Sequence, residues 1–239
     1  MYSFSSEDTL TVDKFGNDGF FVDIGAGDGS TWSNSKLVAE RGWRGVCIEC
    51  DEVKLNRLRS LHEGNKNIKV ADVVVNTSNI NDVLNGNDVP ESPELISVDI
   101  DGIDSWIVCE ILKYRKPKWL IVEINHYIKP PIRFCVNKND DWVWGRNAVF
   151  GASVQHYCDI LIPNGYSLIH ILVGNAIFSS IDKPSGSASE IWEREAVPLM
   201  VACNGEHAIP NSWGGIEDVI KIMGGKTDIY SISRSRLFK

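Results

Sequence analysis

The chain alternates short apolar runs with longer segments in which apolar residues recur every three or four positions. Short apolar runs bounded by glycine, proline and polar residues predict buried strands, and the period of three to four predicts amphipathic helices. The predicted strands are residues 20–24, 44–49, 67–75, 95–99 and 118–124, followed by a hairpin of 166–173 and 176–181. This alternation predicts a doubly wound α/β sheet, because parallel strands need helical crossovers between them.

The intervening segments predict five helices. The first is expected over residues 30–41, the second after an Asp51 cap, and the third after a Ser78 cap, ending near Leu84. Inward faces are predicted for the second, fourth and fifth helices. They are Val53, Leu55, Leu58 and Leu61 for the second; Ile103, Ile107 and Ile111 for the fourth; and Phe150, Val154, Tyr157 and Leu161 for the fifth. Asn164-Gly165 is a predicted helix stop.

Three glycines at alternate positions, Gly25, Gly27 and Gly29, end the first predicted strand. Glycine there permits positive φ angles and lets a ligand approach the backbone, while the next helix directs its free N–H groups at the same place. Glu49 ends the second predicted strand, twenty residues after Gly29, where its carboxylate can accept hydrogen bonds from ribose hydroxyls. The two elements together predict a nucleoside cofactor site.

The glycine spacing bears on which nucleoside is bound. A dinucleotide site has G-x-G-x-x-G, whereas this chain has G-x-G-x-G with Asp23 two residues before the first glycine. That combination is similar to motif I of class I S-adenosylmethionine-dependent methyltransferases. The predicted terminal hairpin is also expected of that fold and not of a dehydrogenase half.

Composition favours a soluble enzyme domain. The 239 residues are 43% hydrophobic and 23% charged, with a net charge of −8. We expect one domain over residues 1–182 and an appendage over 183–239, beginning at a Pro/Ser/Gly-rich stretch. The negative charge argues against nucleic-acid binding, so a small-molecule, glycan or peptide acceptor is expected.

No signal peptide or membrane span is predicted, which makes the cytoplasm the expected location. The six cysteines are expected to be core residues or free thiols.

Longer stretches of the chain resemble the FkbM-type methyltransferases. The similar segments are Gly19–Asn34, Gly42–Glu49, Ser78–Asn81, Leu95–Asp104, Val122–Asn125, Phe150–Ser153 and Gly165–Leu168. They cover roughly residues 19–181 in order. The resemblance implies a Rossmann-like class I methyltransferase fold, with a mostly parallel seven-stranded sheet, a terminal antiparallel hairpin and helices on both faces. It also implies methyl transfer from S-adenosylmethionine, usually to oxygen, on an acceptor that it does not identify.

The resemblance also implies roles for individual residues. Asp23, Gly25, Gly27 and Gly29 should cradle the methionine end of the cofactor, and Glu49 should hold the ribose. The expected cofactor contacts further include Ala26, Asp72 and Asp99. Asp72 has two open interpretations, as a contact to the adenine amino group or as a solvated aspartate in a turn. The chain departs from the family at Cys50-Asp51, where relatives usually have a proline, which should alter the loop near the adenosine.

Acidic and amide residues follow the fourth and fifth predicted strands. Residues two apart share a strand face, so four of them could converge on an acceptor: Asp99, Asp101, Glu123 and Asn125. Crowded carboxylates raise one another's pKa, which suits one of them to act as general base. Alternatively, Asp101 and Asp104 cap the following helix. Carboxylates can also bind Mg²⁺ or Ca²⁺, but no spacing here is diagnostic, and no metal ligand is assigned.

The connection 126–149 and the appendage are expected to recognise the acceptor. Trp142 and Trp144 could stack on a sugar or aromatic ring, or pack as a satellite core, and His126 and His156 are candidate bases or packing residues. The favoured function is an O-methyltransferase, with N-methylation less favoured. The alternatives are a catalytically silent nucleoside-binding relative that serves as an interaction module, and a nicotinamide-dependent oxidoreductase. Homo-oligomerisation is left open.

Overall fold

A computed structural model describes residue 16 and residues 18–141, 144–145 and 149–196. The chain divides into two compact units. Among the described residues, the first comprises those up to Ile100 together with Trp106–Ile121, and the second comprises Asp101–Ser105 together with those from Val122 to Ala196. The predicted boundary between residues 182 and 183 stays a prediction.

Strands and helices alternate along the described chain. They are β1 (Phe20–Ile24), α1 (Lys36–Glu40), β2 (Arg44–Glu49), α2 (Glu52–Leu61), β3 (Ile68–Asp72), α3 (Ile80–Gly86), β4 (Leu95–Val98), α4 (Asp104–Ile111), β5 (Trp119–Glu123), α5 (Val154–Leu161), a 3₁₀ turn (Ile162–Asn164), β6 (Ser167–Ile171), β7 (Asn175–Ser179), α6 (Ala188–Ile191) and a π-helical turn (Trp192–Ala196). No helix among the described residues combines the length and apolar character that a membrane crossing needs.

The strands form one seven-stranded sheet in the order β3-β2-β1-β4-β5-β7-β6. Strand β1 pairs in parallel with β2 and β4, and β2 pairs in parallel with β3. Strands β6 and β7 form an antiparallel hairpin. The predicted Rossmann-like, mostly parallel sheet with a terminal antiparallel hairpin is therefore confirmed.

Most of the strands are buried because their sequences are nearly continuous apolar runs, whereas the outer strand β3 is largely half-buried or exposed. In the first unit, β1 and β4 are almost wholly buried, and Leu58 and Leu84 from the helices are fully buried with them. In the second unit, β7 is buried throughout, with Tyr157 and Leu161 of α5 also fully buried. The predicted stop at Gly165 is confirmed, since this residue ends the 3₁₀ turn with φ +88°.

The predicted helix over residues 30–41 is wrong in its first half, because α1 begins only at Lys36. The Asp28 carboxylate accepts hydrogen bonds from the backbone N–H groups of Ser30 and Thr31, at 2.9 and 2.7 Å. Ser33 Oγ in turn accepts from the N–H of Lys36 at 3.1 Å. Short polar side chains thus satisfy backbone groups that a helix would otherwise use, and they hold the segment in turns.

The predicted start of helix α2 is confirmed, but only part of its predicted inward face is buried. The Asp51 side chain accepts from the N–H of Lys54 at 2.9 Å, which confirms the cap. Leu55 and Leu58 are buried, whereas Val53 and Leu61 are exposed, so the predicted inward face is too wide. The Ser78 cap is also wrong: α3 begins at Ile80 after Asn79, and Ser78 donates to Asn76 instead.

Candidate cofactor and active site

The glycine-rich turn after β1 is closely packed at one glycine and surrounded by empty space at another. Gly25 and Ala26 both donate their N–H groups to the carbonyl of Ile48, at 2.9 and 3.0 Å. Gly25 has φ +84°, and a Cβ there would lie 1.7 Å from the carbonyl oxygen of Asp99. Gly27 has φ +60°, and a Cβ there would meet nothing within 4 Å. The turn therefore packs tightly at Gly25 and leaves free space at Gly27.

Glu49 lies at the end of β2, and its carboxylate stabilises this turn through hydrogen bonds to backbone amides. Its Oε2 accepts from the N–H of Gly27, and its Oε1 accepts from the N–H groups of Cys50 and Asp51, each at 2.8 Å. The residue is 7% exposed. A carboxylate offers about four acceptor positions. Three of them are occupied by backbone amides that fix its orientation, which leaves one acceptor position on Oε2 for a further donor.

Asp23 lies below the turn rather than at its surface. It is 3% exposed, and its Oδ2 accepts from Ser35 Oγ at 2.6 Å. Burial raises the pKa of Asp23 from 3.8 to about 6, opposed by hydrogen bonds from Ser35 and Ser97 and reinforced by the charge of Glu49. The structure therefore places this predicted cofactor residue in a buried polar cluster, and its contact with a cofactor stays a prediction.

Asp72 lies at the end of β3, directly opposite Glu49 in the β2–β3 register. Its carboxylate forms an ion pair with Arg59 at 3.1 Å, and both side chains are about half exposed, at 56% and 49%. The residue thus lies beside Glu49 on the next strand, as a contact to adenine would require. The ion pair and the exposure equally suit the alternative of a solvated aspartate.

The predicted catalytic residues fall in both units. Asp99, in the first, follows β4 directly and donates its N–H to the carbonyl of Ile24 at 2.9 Å. Asp101 and Glu123, in the second, each have a carboxylate oxygen within 4.8 Å of the other. Asp101 has φ +57°, in a region that non-glycine residues rarely adopt and that costs about 1–3 kcal/mol. This backbone conformation is typical of residues at functional sites.

Asn125 and Asp104 have well-defined structural contacts. The Asn125 side chain is fully buried; its Nδ2 donates to the carbonyl of Phe150 at 3.0 Å, and its Oδ1 accepts from the N–H of Tyr127 at 3.2 Å. Asn125 therefore ties together the two ends of the long connection between β5 and α5. Asp104 begins α4 and accepts from the N–H of Gly102 at 2.8 Å, so it stabilises the turn before the helix.

The aromatic and histidine candidates are divided between packing and exposure. Trp142 lies outside the described residues, while Trp144 meets Phe150 edge-on at 5.8 Å between ring centroids and is 37% exposed. His126 is buried and lies 4.2 Å from the Tyr127 ring. His156 is buried in α5, and burial lowers its pKa to about 4. A neutral packing role is therefore the better interpretation of His156.

The sequence interpretation gave no role to three residues that the structure joins to Asp23. Ser35 and Ser97 are hydrogen-bonded to the Asp23 carboxylate, and Asn34 Nδ2 donates to Ser97 Oγ at 3.1 Å. Ser97 lies opposite Asp23 in the β1–β4 register. The available signal was the pair of polar residues five and six positions after Gly29, together with a serine inside the otherwise apolar β4.

No protein-family model matches the chain, and no curated protein matches it. Solved structures show distant likenesses. A precorrin-6y C5,15-methyltransferase from Geobacter metallireducens is 18% identical over 48% of this chain, with a TM-score of 0.36, and this chain spans 60% of its length. The fibrillarin pre-rRNA processing protein of Methanococcus jannaschii is 14% identical over 69% of this chain and 67% of its own, with a TM-score of 0.47. A candidate caffeoyl-CoA O-methyltransferase from Staphylococcus aureus is 16% identical over 73% of this chain and 82% of its own, with a TM-score of 0.48. The assignment of a function therefore rests on the residues of this chain.

Proposed function

We propose that the protein is an S-adenosylmethionine-dependent methyltransferase, most readily an O-methyltransferase of the FkbM type. One observation carries the proposal: the Glu49 carboxylate at the end of β2 is oriented by three backbone amides directly beside a glycine-rich turn that is open at Gly27. A buried acceptor beside an open turn is what a ribose hydroxyl requires.

The described residues fit the cofactor at its ribose. Glu49 Oε2 retains one acceptor position for a hydroxyl donor. Free space at Gly27 allows the ligand to lie against the backbone, and the Gly25–Ile48 hydrogen bond keeps that backbone in place. We propose further contacts from Asp23 and Ala26 at the methionine end, and from Asp72 at the adenine. Asp99 is proposed beside the methionine end as well.

The cofactor, when bound, supplies an activated methyl group on a sulfonium. The protein then has to align the acceptor oxygen and remove its proton. We propose that Asp101 and Glu123 carry out the proton removal, since their carboxylate oxygens lie within 4.8 Å of each other and a positioned carboxylate can act as a general base. We propose that Asp99 positions the acceptor, that Asn125 contributes through the backbone of Tyr127 and Phe150 that it holds, and that the acceptor is a small molecule, a glycan or a peptide.

Calorimetric titration with S-adenosylhomocysteine tests the cofactor assignment. We expect micromolar binding by the wild type and at least about tenfold weaker binding by Glu49→Ala, because the loss of a charged acceptor costs about 1.5–3 kcal/mol. Glu52→Ala, in the first turn of α2, is the matched control and should bind like the wild type. NAD should not bind. Binding of NAD in place of S-adenosylhomocysteine would favour the oxidoreductase, and binding of neither would leave the methyltransferase proposal without its cofactor.

The catalytic assignment needs a separate experiment with labelled S-adenosylmethionine and a panel of acceptors. Glu123→Gln and Asp101→Asn should bind S-adenosylhomocysteine normally and lose methyl transfer by roughly 100-fold or more, since general-base catalysis contributes that much. If both variants transfer the methyl group at the wild-type rate, the chemistry lies elsewhere. A wild type that binds the cofactor but methylates no acceptor supports the silent relative.

A further inference from the structure

A buried polar cluster lies under the glycine-rich turn, wholly within the first unit. Its members are Asp23 on β1, Ser97 on β4, and Asn34 and Ser35 in the segment before α1, and each is at most 6% exposed. Asp23 and Ser97 are paired in register across the two strands. Polar groups buried in the middle of a parallel sheet are costly unless they are hydrogen-bonded. Their presence here therefore calls for a specific explanation.

Two side-chain hydrogen bonds connect the segment 33–35 to the sheet. Ser35 Oγ donates to Asp23 Oδ2 at 2.6 Å, and Asn34 Nδ2 donates to Ser97 Oγ at 3.1 Å. This segment is the far end of the irregular stretch that begins with the glycine-rich turn. The near end is fixed by hydrogen bonds that the N–H groups of Gly25 and Ala26 donate to the Ile48 carbonyl. The stretch is therefore anchored to the sheet on both sides of Gly27, the residue at which the turn is open.

We propose that Ser35 is a positioning residue for cofactor binding, which it serves by donating a hydrogen bond to Asp23 and so holding both that carboxylate and the glycine-rich stretch in place. The inference rests on the proposed function, because it concerns the same cofactor site. Ser35 acts through Asp23 and makes no contact with the cofactor itself.

The hydrogen bond also has an electrostatic consequence. Burial raises the pKa of Asp23, and the hydroxyl groups of Ser35 and Ser97 oppose that rise by stabilising the charged form. The ionisable groups packed nearby are on β2: Glu49, whose charge raises the pKa further, and Cys47, whose own pKa burial raises well above 9. Ser97 on β4 contributes only a hydroxyl. Removal of the Ser35 hydroxyl should therefore move the titration of Asp23 to higher pH.

The experiment measures the affinity for S-adenosylhomocysteine by calorimetry from about pH 5.5 to about pH 8.5. Ser35→Ala should shift the pH at which binding declines upward by about one unit, so that binding is roughly eightfold weaker than that of the wild type near pH 5.5, roughly twofold weaker near pH 7, and nearly equal at the alkaline end. Ser35→Thr keeps the hydroxyl and should follow the wild type. Ser33→Ala is the matched control, because Ser33 bonds the amides of Ser35 and Lys36. It should leave the pH profile in place.

Asp23→Asn makes the test specific to the proposed pair. The affinity of this variant should no longer decline at acidic pH. Adding Ser35→Ala to it should change the affinity by less than about twofold, since the effects of substituting two interacting residues are not additive. If Ser35→Ala weakened the binding of S-adenosylhomocysteine by the same factor at every pH, or did not weaken it, the inference would be overturned while the methyltransferase proposal stayed intact. A folded wild type that binds no S-adenosylhomocysteine at any pH would overturn both.

Discussion

Two buried ionisable residues give the protein opposing responses to pH. Burial raises the pKa of Asp23 to about 6 and lowers that of His156 to about 4. A buried carboxylate is therefore stabilised by protonation, whereas a buried imidazole is stabilised by remaining neutral. Between about pH 4 and pH 6 the two contributions to stability therefore change in opposite directions as the pH rises. Substitution of each residue should reveal its own contribution.

Asp23→Asn should make the folded protein more stable at pH 7.5. The carboxyl titrates at 3.8 when unfolded and at about 6 when folded, so its stabilising contribution is complete below 3.8 and is lost as the pH rises through 6. The difference corresponds to roughly 3 kcal/mol, and we expect the amide to recover about 1–3 kcal/mol of it. Urea unfolding at pH 7.5 and 4.5 measures this, and the gain should shrink at pH 4.5. A variant less stable than the wild type at pH 7.5 would contradict the prediction.

His156→Gln should make the protein less sensitive to acid. In the wild type, the unfolded chain takes up a proton at about 6.5 and the folded protein only at about 4. The stabilising contribution of His156 is therefore present above 6.5 and is lost, by roughly 3 kcal/mol in all, as the pH falls to 4. The unfolding free energy of the variant should decline less steeply than that of the wild type across this range. Parallel curves would show that His156 does not titrate as a buried base.

At the scale of elements, the glycine-rich turn should respond very differently to the same substitution at two positions. Gly25→Ala places a methyl group 1.7 Å from the Asp99 carbonyl, and no side-chain rotation can relieve a contact with backbone. We expect a loss of more than about 3 kcal/mol. Gly27→Ala has only the positive φ to overcome, about 1–2 kcal/mol, because its surroundings are open. Thermal unfolding with circular dichroism compares the two, and equal losses would contradict the predicted asymmetry.

Residues 183–196 cover an edge of the sheet. Strand β6 is an outer strand, and Glu195 Oε2 accepts from the Ile171 N–H at 3.2 Å and meets His170 Nδ1 at 3.1 Å. On the same strand, the carbonyl of Ile169 accepts from Ser185 Oγ at 2.6 Å. Side chains thus occupy backbone groups that an exposed edge would offer to another strand.

Glu195→Ala should uncover this edge. We expect the Ile171 amide to exchange its hydrogen roughly tenfold faster or more, because its part-buried charged acceptor, worth about 1–3 kcal/mol, is removed. Glu193→Ala, which truncates an exposed residue in the same turn, is the control. Hydrogen exchange followed by NMR reports on the individual amide. If exchange in the two variants is the same, Glu195 does not protect β6.

Elements differ in how well their sequence reveals them. The strands were predicted to within a few residues, because β2 (Arg44–Glu49) and β4 (Leu95–Val98) are apolar runs with clear ends. The late start of α1 was missed because it depends on side-chain hydrogen bonds from Asp28 and Ser33, which leave no periodic pattern. The position of Glu49 beside the turn followed from strand spacing. The burial of Asp23 with Ser35 and Ser97 depends on contacts between distant segments, which a single sequence does not specify.

At the scale of the whole molecule, a cofactor that binds only the folded state must raise its stability. The gain depends on ligand concentration relative to Kd and reaches about 2.7 kcal/mol at 100 times Kd. For a domain of this size, each kcal/mol corresponds to about 2–4 °C in Tm. S-adenosylhomocysteine should therefore raise the Tm of the wild type by roughly 5–11 °C at that concentration.

The Glu49→Ala variant makes this shift diagnostic of the site. Its loss of the Gly27, Cys50 and Asp51 amide contacts should lower the Tm of the free protein, because three amides lose their acceptor. At the same ligand concentration, however, its Tm should rise by only a few degrees at most, because Kd is at least about tenfold larger. The comparison is therefore between shifts and not between absolute values. A shift as large as that of the wild type would mean that the ligand stabilises the protein from a site that does not involve Glu49.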